Sequence, residues 1–219
     1  MKRIAIYDST LRDGAQAQGI SYSVEDKVKI VERLDALGVH YIEAGNPGSN
    51  PKDLEFFERV RGMKLKNAKL IAFGATRKIG IKAEDDGNVR SILAAGTDAV
   101  AIFGKSWDYQ VTEILRTQLD ENLRMIGDTL RYLKQQGKEV VYDAEHFFDG
   151  FKANPDYALA TLRAAADAGA DCLCLCDTNG GTFPNDIFAI TQKVAGQFKT
   201  PLGIHCHNDC EMAVANSVM

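Results

Sequence analysis

The 219-residue sequence predicts an α/β fold of parallel strands, a (βα)8 barrel with seven strands present and the eighth missing. Three observations carry this expectation. An amphipathic stretch, a glycine and a short apolar run recur at Gly38, Gly96, Gly137 and Gly169. Seven strand-like runs alternate with helical patterns, and no linker or low-complexity segment interrupts them, as repeated βα units require. Polar residues close nearly every strand, and a barrel builds its site from the C-terminal ends of many strands, which favours it over a doubly wound sheet.

The first strand is expected at 3–8, RIAIYD. Ser23, with Asp26 three residues on, resembles a capping box, and Val24, Val28, Val31, Leu34 and Leu37 form one stripe of the helix that follows. Strands are then expected at 39–45, 68–74, 98–103, 139–143, 171–176 and 201–207. The four recurring glycines sit where a helix ends and a left-handed residue is wanted. The runs after them are short and apolar, as strands buried on both faces should be. A long helical region from about Val111 carries Leu115, Leu119, Leu123, Ile126, Leu130 and Leu133, and Asn154-Pro155 reads as the N-cap and first residue of the next helix.

Composition narrows the function classes. There are 26 basic and 30 acidic residues, a formal charge of −4, without a basic run, so neither nucleic acid nor a membrane is an expected partner. Apolar stretches fall well short of a membrane span of about 18 residues, and MKRIAIYD contains no signal-peptide core. Five cysteines, an odd number in a long chain, fit a reducing cytoplasm.

Chemistry gathers at the strand ends: DSTLRDG (8–14), Glu43, Arg77, Glu145, CDTNGG (176–181) and HCHND (205–209). On a strand, residues i and i+2 share a face, so His205 and His207 present two imidazoles together, with Cys206 facing away. Alone, such a pair is more often structural. Asp13 at another strand end completes a carboxylate and two imidazoles, a donor set for Mg2+, Mn2+ or Zn2+, and Arg12 beside it offers charge to a developing oxyanion. LRDG also reads as a simple turn, and Glu145 as a solvated carboxylate. Cys172, Cys174 and Cys176 share one strand face and are expected to pack as small hydrophobes. His40 and His146 have no assigned partner.

DSTLRDGAQ and HCHND, in this order, resemble the metal-dependent acyl-CoA-condensing TIM barrels, the isopropylmalate, homocitrate and citramalate synthases. PGSNPKDLEFF, AFGATRK, FGKSWD, ENLRMIGDTLRYLKQQG, YDAEHFFDG and LCDTNGG resemble the citramalate branch most. The resemblance implies Asp13, His205 and His207 as metal ligands, with Arg12 and Glu145 as catalytic residues. Thr178 would contact a 2-oxo acid carboxylate, and Arg12 and Glu43, the latter near the metal, would also belong to the substrate-binding set. It also implies acetyl-CoA and pyruvate as substrates, a homodimer in the full-length enzyme, and a place in isoleucine biosynthesis. The sequence departs from that branch at Asn46, where a Trp is usual, at Gln16-Ala17-Gln18-Gly19, at Cys210-Glu211 and at Gln110. No departure removes a ligand, and Asn46 and Glu211 are expected at the pocket rim.

With no eighth strand expected, the resemblance implies that residues 1–219 are an N-terminal catalytic barrel domain, followed in that family by strand 8, a linker region and a C-terminal regulatory domain. Unpaired strand edges invite association, so the isolated chain is expected to be marginally stable or oligomeric and weakly active.

Overall fold

The computed structural model describes residues 4–219. One compact unit comprises the chain to Ala75 with Glu84–Ala101 and Gly137–Glu139. It contains β1 (Tyr7–Asp8), β2 (Tyr41–Gly45), β3 (Lys69–Ala75) and the start of β4 (Ala99–Lys105), with α1 (Val24–Leu37), α2 (Pro51–Arg59) and α3 (Gly87–Ala94). β1 pairs parallel with β2, Tyr7 opposite Tyr41, and β2 with β3, Tyr41 opposite Lys69, with a register shift between Glu43 and Gly45. Ile42, Ala44, Ile71 and Ala72 are fully buried, as are Phe56 and nearly all of Phe57 on α2.

The capping box at Ser23 forms with both of its hydrogen bonds, and Gly38 ends α1 in the left-handed conformation at φ 90°. The apolar stripe of α1 is less regular than its spacing predicts. Val31 is buried, Leu37 is 77% exposed, and the buried face includes Lys27. The first strand is also shorter than expected: Arg3 lies outside the described residues, and pairing begins only at Tyr7. Ile4 and Ile6 are exposed, so their alternation has no core to face. The backbone of Ile6 is nonetheless anchored, its N–H donating to His40 Nδ1 at 3.0 Å and its carbonyl accepting from His40 and Tyr41.

Asp35, near the end of α1, accepts backbone N–H groups from Lys66, Asn67 and Ala68 at 2.8–3.0 Å. Burial raises its carboxyl pKa, and the three donors more than reverse this, leaving it below the ordinary value. A depressed carboxyl stabilises the fold above its unfolded pKa near 4 and loses that contribution as pH falls through the folded value. Asp35→Ala should therefore cost about 1–2 kcal/mol at neutral pH, the scale of a lost backbone cap. The gap between variant and parent in urea melts should close below about pH 4; a gap constant from pH 7 to pH 3 would reject this account.

The second compact unit comprises Thr76–Ala83, Ile102–Gln136 and Val140–Met219. It contains the rest of β4, β5 (Glu139–Glu145) from Val140 onward, β6 (Cys172–Asp177) and β7 (Leu202–Cys206). Its helices are α4 (Leu119–Gln135), α5 (Phe147–Ala153), α6 (Pro155–Asp167), α7 (Pro184–Ala195) and α8 (Ala213–Val218). β5, β6 and β7 pair parallel, Asp143 opposite Cys174 and Cys176 opposite His205. Asn154 caps α6 through Tyr157 N–H, with Pro155 at the first position, as the sequence predicts.

The long helical region divides in two. A π-helical turn at Gln110–Leu115 ends where Arg116 turns left-handed at φ 55°, and α4 starts afresh at Leu119. Val111 is buried but Ile114 is 59% exposed, so the apolar residues before the break do not continue the buried face of α4. Close packing fixes α5: a Cβ on Gly150 would stand 2.4 Å from the Ser106 carbonyl.

The strands take the sheet order β1-β2-β3-β4-β5-β6-β7. The fold is thus the expected α/β class, an incomplete TIM barrel with seven strands among the described residues. No helix among them is long and apolar enough to cross a membrane.

Candidate active site

The loop after β1 is tied back on itself before it reaches its charged residues. Asp8 accepts from the Thr10 N–H and hydroxyl, and the Ser9 carbonyl accepts from the Arg12 and Gly14 N–H groups at 3.1 Å. Arg12 is then held on three sides. Its Nε donates to Glu43 on β2, its Nη1 stands 3.1 Å from Asp13 Oδ1, and its guanidinium carbon lies 3.9 Å over the Phe73 ring of β3. Glu43 is fully buried and also accepts from the Tyr7 hydroxyl. A planar, permanently charged group stacked and forked in this way has little freedom left. The loop therefore presents a fixed cation and, beside it, the Asp13 carboxylate.

A cavity of about 250 Å³ opens next to Arg12, and Gln16, Tyr22, Asn46, Lys52 and Phe73 contribute to its lining. One of the positions at which the sequence departs from the citramalate branch, Asn46, thus faces this cavity. Asn46 is fixed there by its N–H to Asp53 and by Gly48 N–H to its own side-chain oxygen.

The strand ends of the other unit carry the remaining predicted residues. Glu145, the last residue of β5, pairs with Lys105, the last of β4. Thr178 follows β6, and its Oγ1 accepts the His146 N–H at 2.8 Å. His146, left-handed at φ 55°, has its Nδ1 3.5 Å from Asp149 Oδ2. That neighbour, with burial opposing it, keeps the Asp149 carboxyl below its usual pKa.

His205 and His207 share a face as their spacing predicts, with ring centroids 4.9 Å apart. The loop after β6 braces them. The His207 N–H donates to the Asp177 carbonyl at 3.2 Å, and the Asp177 carboxylate is buried against the Thr182 N–H and hydroxyl. Gly180, at φ 63°, has no room for a Cβ, which would stand 3.0 Å from the His207 carbonyl and 2.8 Å from the Asp209 carboxylate. Cys206, on the opposite face, has its thiol pKa pushed up to about 11 by burial. Cys176 is buried, whereas Cys172 and Cys174 are partly exposed.

Sequence reasoning did not single out Tyr7, Phe73 or Lys105 as site residues, although all three stand next to residues it did. Lys105 carried a usable signal, since it closes a strand. Tyr7 and Phe73 carried none, because their partners lie 36 and 61 positions away.

Alternating strands and helices in this order define a protein of the TIM-barrel class, incomplete among the described residues. The chain belongs to the HMGL-like family, which matches residues 3–219. It is 56% identical over its whole length to the (R)-citramalate synthase of Aquifex aeolicus and 55% identical to that of Geobacter sulfurreducens, and it covers 42% and 41% of them. It is 33% identical to a probable 2-isopropylmalate synthase of Methanopyrus kandleri, with 99% of this chain and 41% of the relative covered. The chain thus spans about two fifths of the length of the relatives it matches. Among solved structures it resembles the HMG-CoA lyase of Bacillus subtilis, with a TM-score of 0.81 at 18% identity, covering 100% of this chain and 73% of that one. At that identity the likeness shows the fold alone.

Proposed function

We propose that this chain is the N-terminal catalytic barrel of a divalent-metal-dependent acyltransferase that condenses acetyl-CoA with pyruvate and water to give citramalate and CoA. The observation that carries the reading is the gap in identity: 48–56% to five (R)-citramalate synthases against 32–33% to isopropylmalate and homocitrate synthases. The same reading makes the cytoplasm its compartment, isoleucine biosynthesis its pathway and a homodimer its full-length form.

In this reading Asp13, His205 and His207 hold the ion. Two imidazoles 4.9 Å apart on one face and a carboxylate on a tied-down loop are donors that suit Mg2+, Mn2+ or Zn2+. When bound, the ion supplies Lewis-acid polarisation of the ketone. The residues of the chain do the rest. Arg12, fixed by Glu43 and Phe73, sets a positive charge where negative charge develops on the keto oxygen, and needs no reorganisation to do so. Thr178 already accepts from His146 N–H, so its own hydroxyl proton is directed to the 2-oxo acid carboxylate. Glu145, held by Lys105, is the catalytic carboxylate of this chain, orienting the acetyl group or taking its methyl proton. Glu43 acts on substrate only through Arg12.

Release of the CoA thiol from acetyl-CoA in the presence of Mn2+ tests the reading. Pyruvate should exceed 2-oxoisovalerate by about tenfold or more, since one or two methylenes in an apolar pocket are worth roughly 1–3 kcal/mol. Equal or faster release with 2-oxoisovalerate would make the protein an isopropylmalate synthase. Metal binding without CoA release in the presence of any 2-oxo acid would make this chain a catalytically incomplete domain.

A further inference from the structure

We propose that Asp143, Cys176 and His205 form a second divalent-cation site, for a thiophilic ion such as Zn2+ or Cd2+. The three residues come from the neighbouring parallel strands β5, β6 and β7. Cys176 stands directly opposite His205, and Asp143 lies opposite Cys174, two residues before Cys176. One ligand atom from each lies within 4.8 Å of the others. Donors to one tetrahedral zinc ion, at about 2.3 Å for sulfur and 2.0 Å for nitrogen or oxygen, stand roughly 3.3–3.5 Å apart, so ordinary side-chain adjustment closes the group around an ion. Asp143 and Cys176 are 7% and 5% exposed, and a buried carboxylate gains most from a bound cation.

Ligand softness sets the choice of ion. A thiolate with an imidazole and a carboxylate selects Zn2+ or Cd2+, whereas Mg2+ and Mn2+ prefer oxygen-rich sets. As the sulfur–metal bond forms, the Cys176 thiol releases its proton to solvent. The expectation that the strand-six cysteines act only as small hydrophobes is thereby narrowed: Cys172 and Cys174 have no part in the group, and Cys176 does. The site has a functional consequence, which rests on the reading of His205 as a ligand of the functional ion. His205 is common to both groups, and two dications drawn to one imidazole repel each other at close range, so a thiophilic ion here weakens the hold on the functional ion and inhibits.

The test is titration of the chelator-treated protein with Cd2+ alone, following the near-ultraviolet thiolate-to-cadmium charge-transfer band. The parent should develop the band with one equivalent. Cys176→Ser should abolish it, and Asp143→Asn should weaken binding at least tenfold. Cys210→Ser, at an exposed cysteine, should leave it unchanged, and so should His207→Ala, which removes only the other site. A band that survives Cys176→Ser, or that is lost in Cys174→Ser or Cys210→Ser instead, overturns the proposal. Circular dichroism on each variant separates loss of a ligand from loss of the fold, and Asp143→Asn tests the site independently if Cys176→Ser unfolds. Cd2+ should also weaken Mn2+ binding at least tenfold in the parent and not in Cys176→Ser. A Cys176-dependent band without that competition would sink the role of His205 in the functional ion while leaving the thiophilic site standing.

Discussion

His205→Ala should lower the affinity of the protein for Mn2+ by about 100-fold or more. Loss of an outer partner that only orients a ligand already costs roughly 10–100-fold, and His205 is proposed as a direct donor. Only three protein donors are proposed, so no fourth compensates. His207→Ala should behave in the same way, because the two rings face the same space at 4.9 Å. His40→Ala is the contrast. Its Nδ1 accepts the Ile6 N–H, so its loss should loosen the start of the chain while leaving Mn2+ affinity within about threefold. Manganese electron paramagnetic resonance gives the free ion directly. Equal losses from His205→Ala and His40→Ala, or a loss below threefold from His205→Ala, would end the three-donor assignment. Activity should fall with occupancy, so excess Mn2+ should partly restore His205→Ala if only affinity is affected.

The parts of this fold that could be read in the sequence are those set by local chemistry. Gly38, Gly96, Gly137 and Gly169 all adopt positive φ, between 72° and 94°, because each ends a helix where a side chain would be strained. The capping box at Ser23 and the cap at Asn154 form as their spacing dictates. All seven strands exist, with ends displaced by one or two residues except at β1. What was not legible depends on partners distant in sequence. Ile4 and Ile6 alternate like a strand, but alternation cannot reveal that their faces meet solvent. The run through Leu115 has helical spacing, but nothing local announces the left-handed Arg116. For the site, strand ends pointed to Arg12, Asp13, Glu145 and the histidine pair. The clamp of Tyr7 and Glu43 on Arg12 joins residues 31–36 positions apart, and no pattern in a single sequence records such a link.

Lys27→Met should destabilise the protein by about 3–5 kcal/mol, the cost of stripping a buried ion pair of one partner. Helical periodicity treats Lys27 as a solvated charge, yet it is 5% exposed, and its partner Asp53 is 6% exposed. Its Nζ donates to the Leu11 carbonyl at 3.2 Å, to the Ala44 carbonyl at 2.9 Å and to Asp53 Oδ1. Asp53 also accepts the Asn46 N–H at 2.8 Å. It presses so closely on Gly45, at φ 145°, that a Cβ there would stand 2.4 Å from the carboxyl carbon. Methionine fills much of the lysine volume but leaves two carbonyls without this donor and a buried carboxylate with only the Asn46 N–H. Against a total stability of roughly 5–15 kcal/mol, the melting temperature should drop by about 6–20 °C. Adding Asp53→Asn should recover at least about 1 kcal/mol, because the amide is neutral, still accepts from Asn46 and can donate to a vacated carbonyl. Leu11 immediately precedes Arg12 and Asp13, so Lys27 also anchors the loop that carries both. Mn2+ affinity in Lys27→Met, measured well below its melting temperature, should therefore fall severalfold as well. A variant within about 1 kcal/mol of the parent would show that solvent reaches the Asp53 carboxylate and that the pair is not a structural clamp.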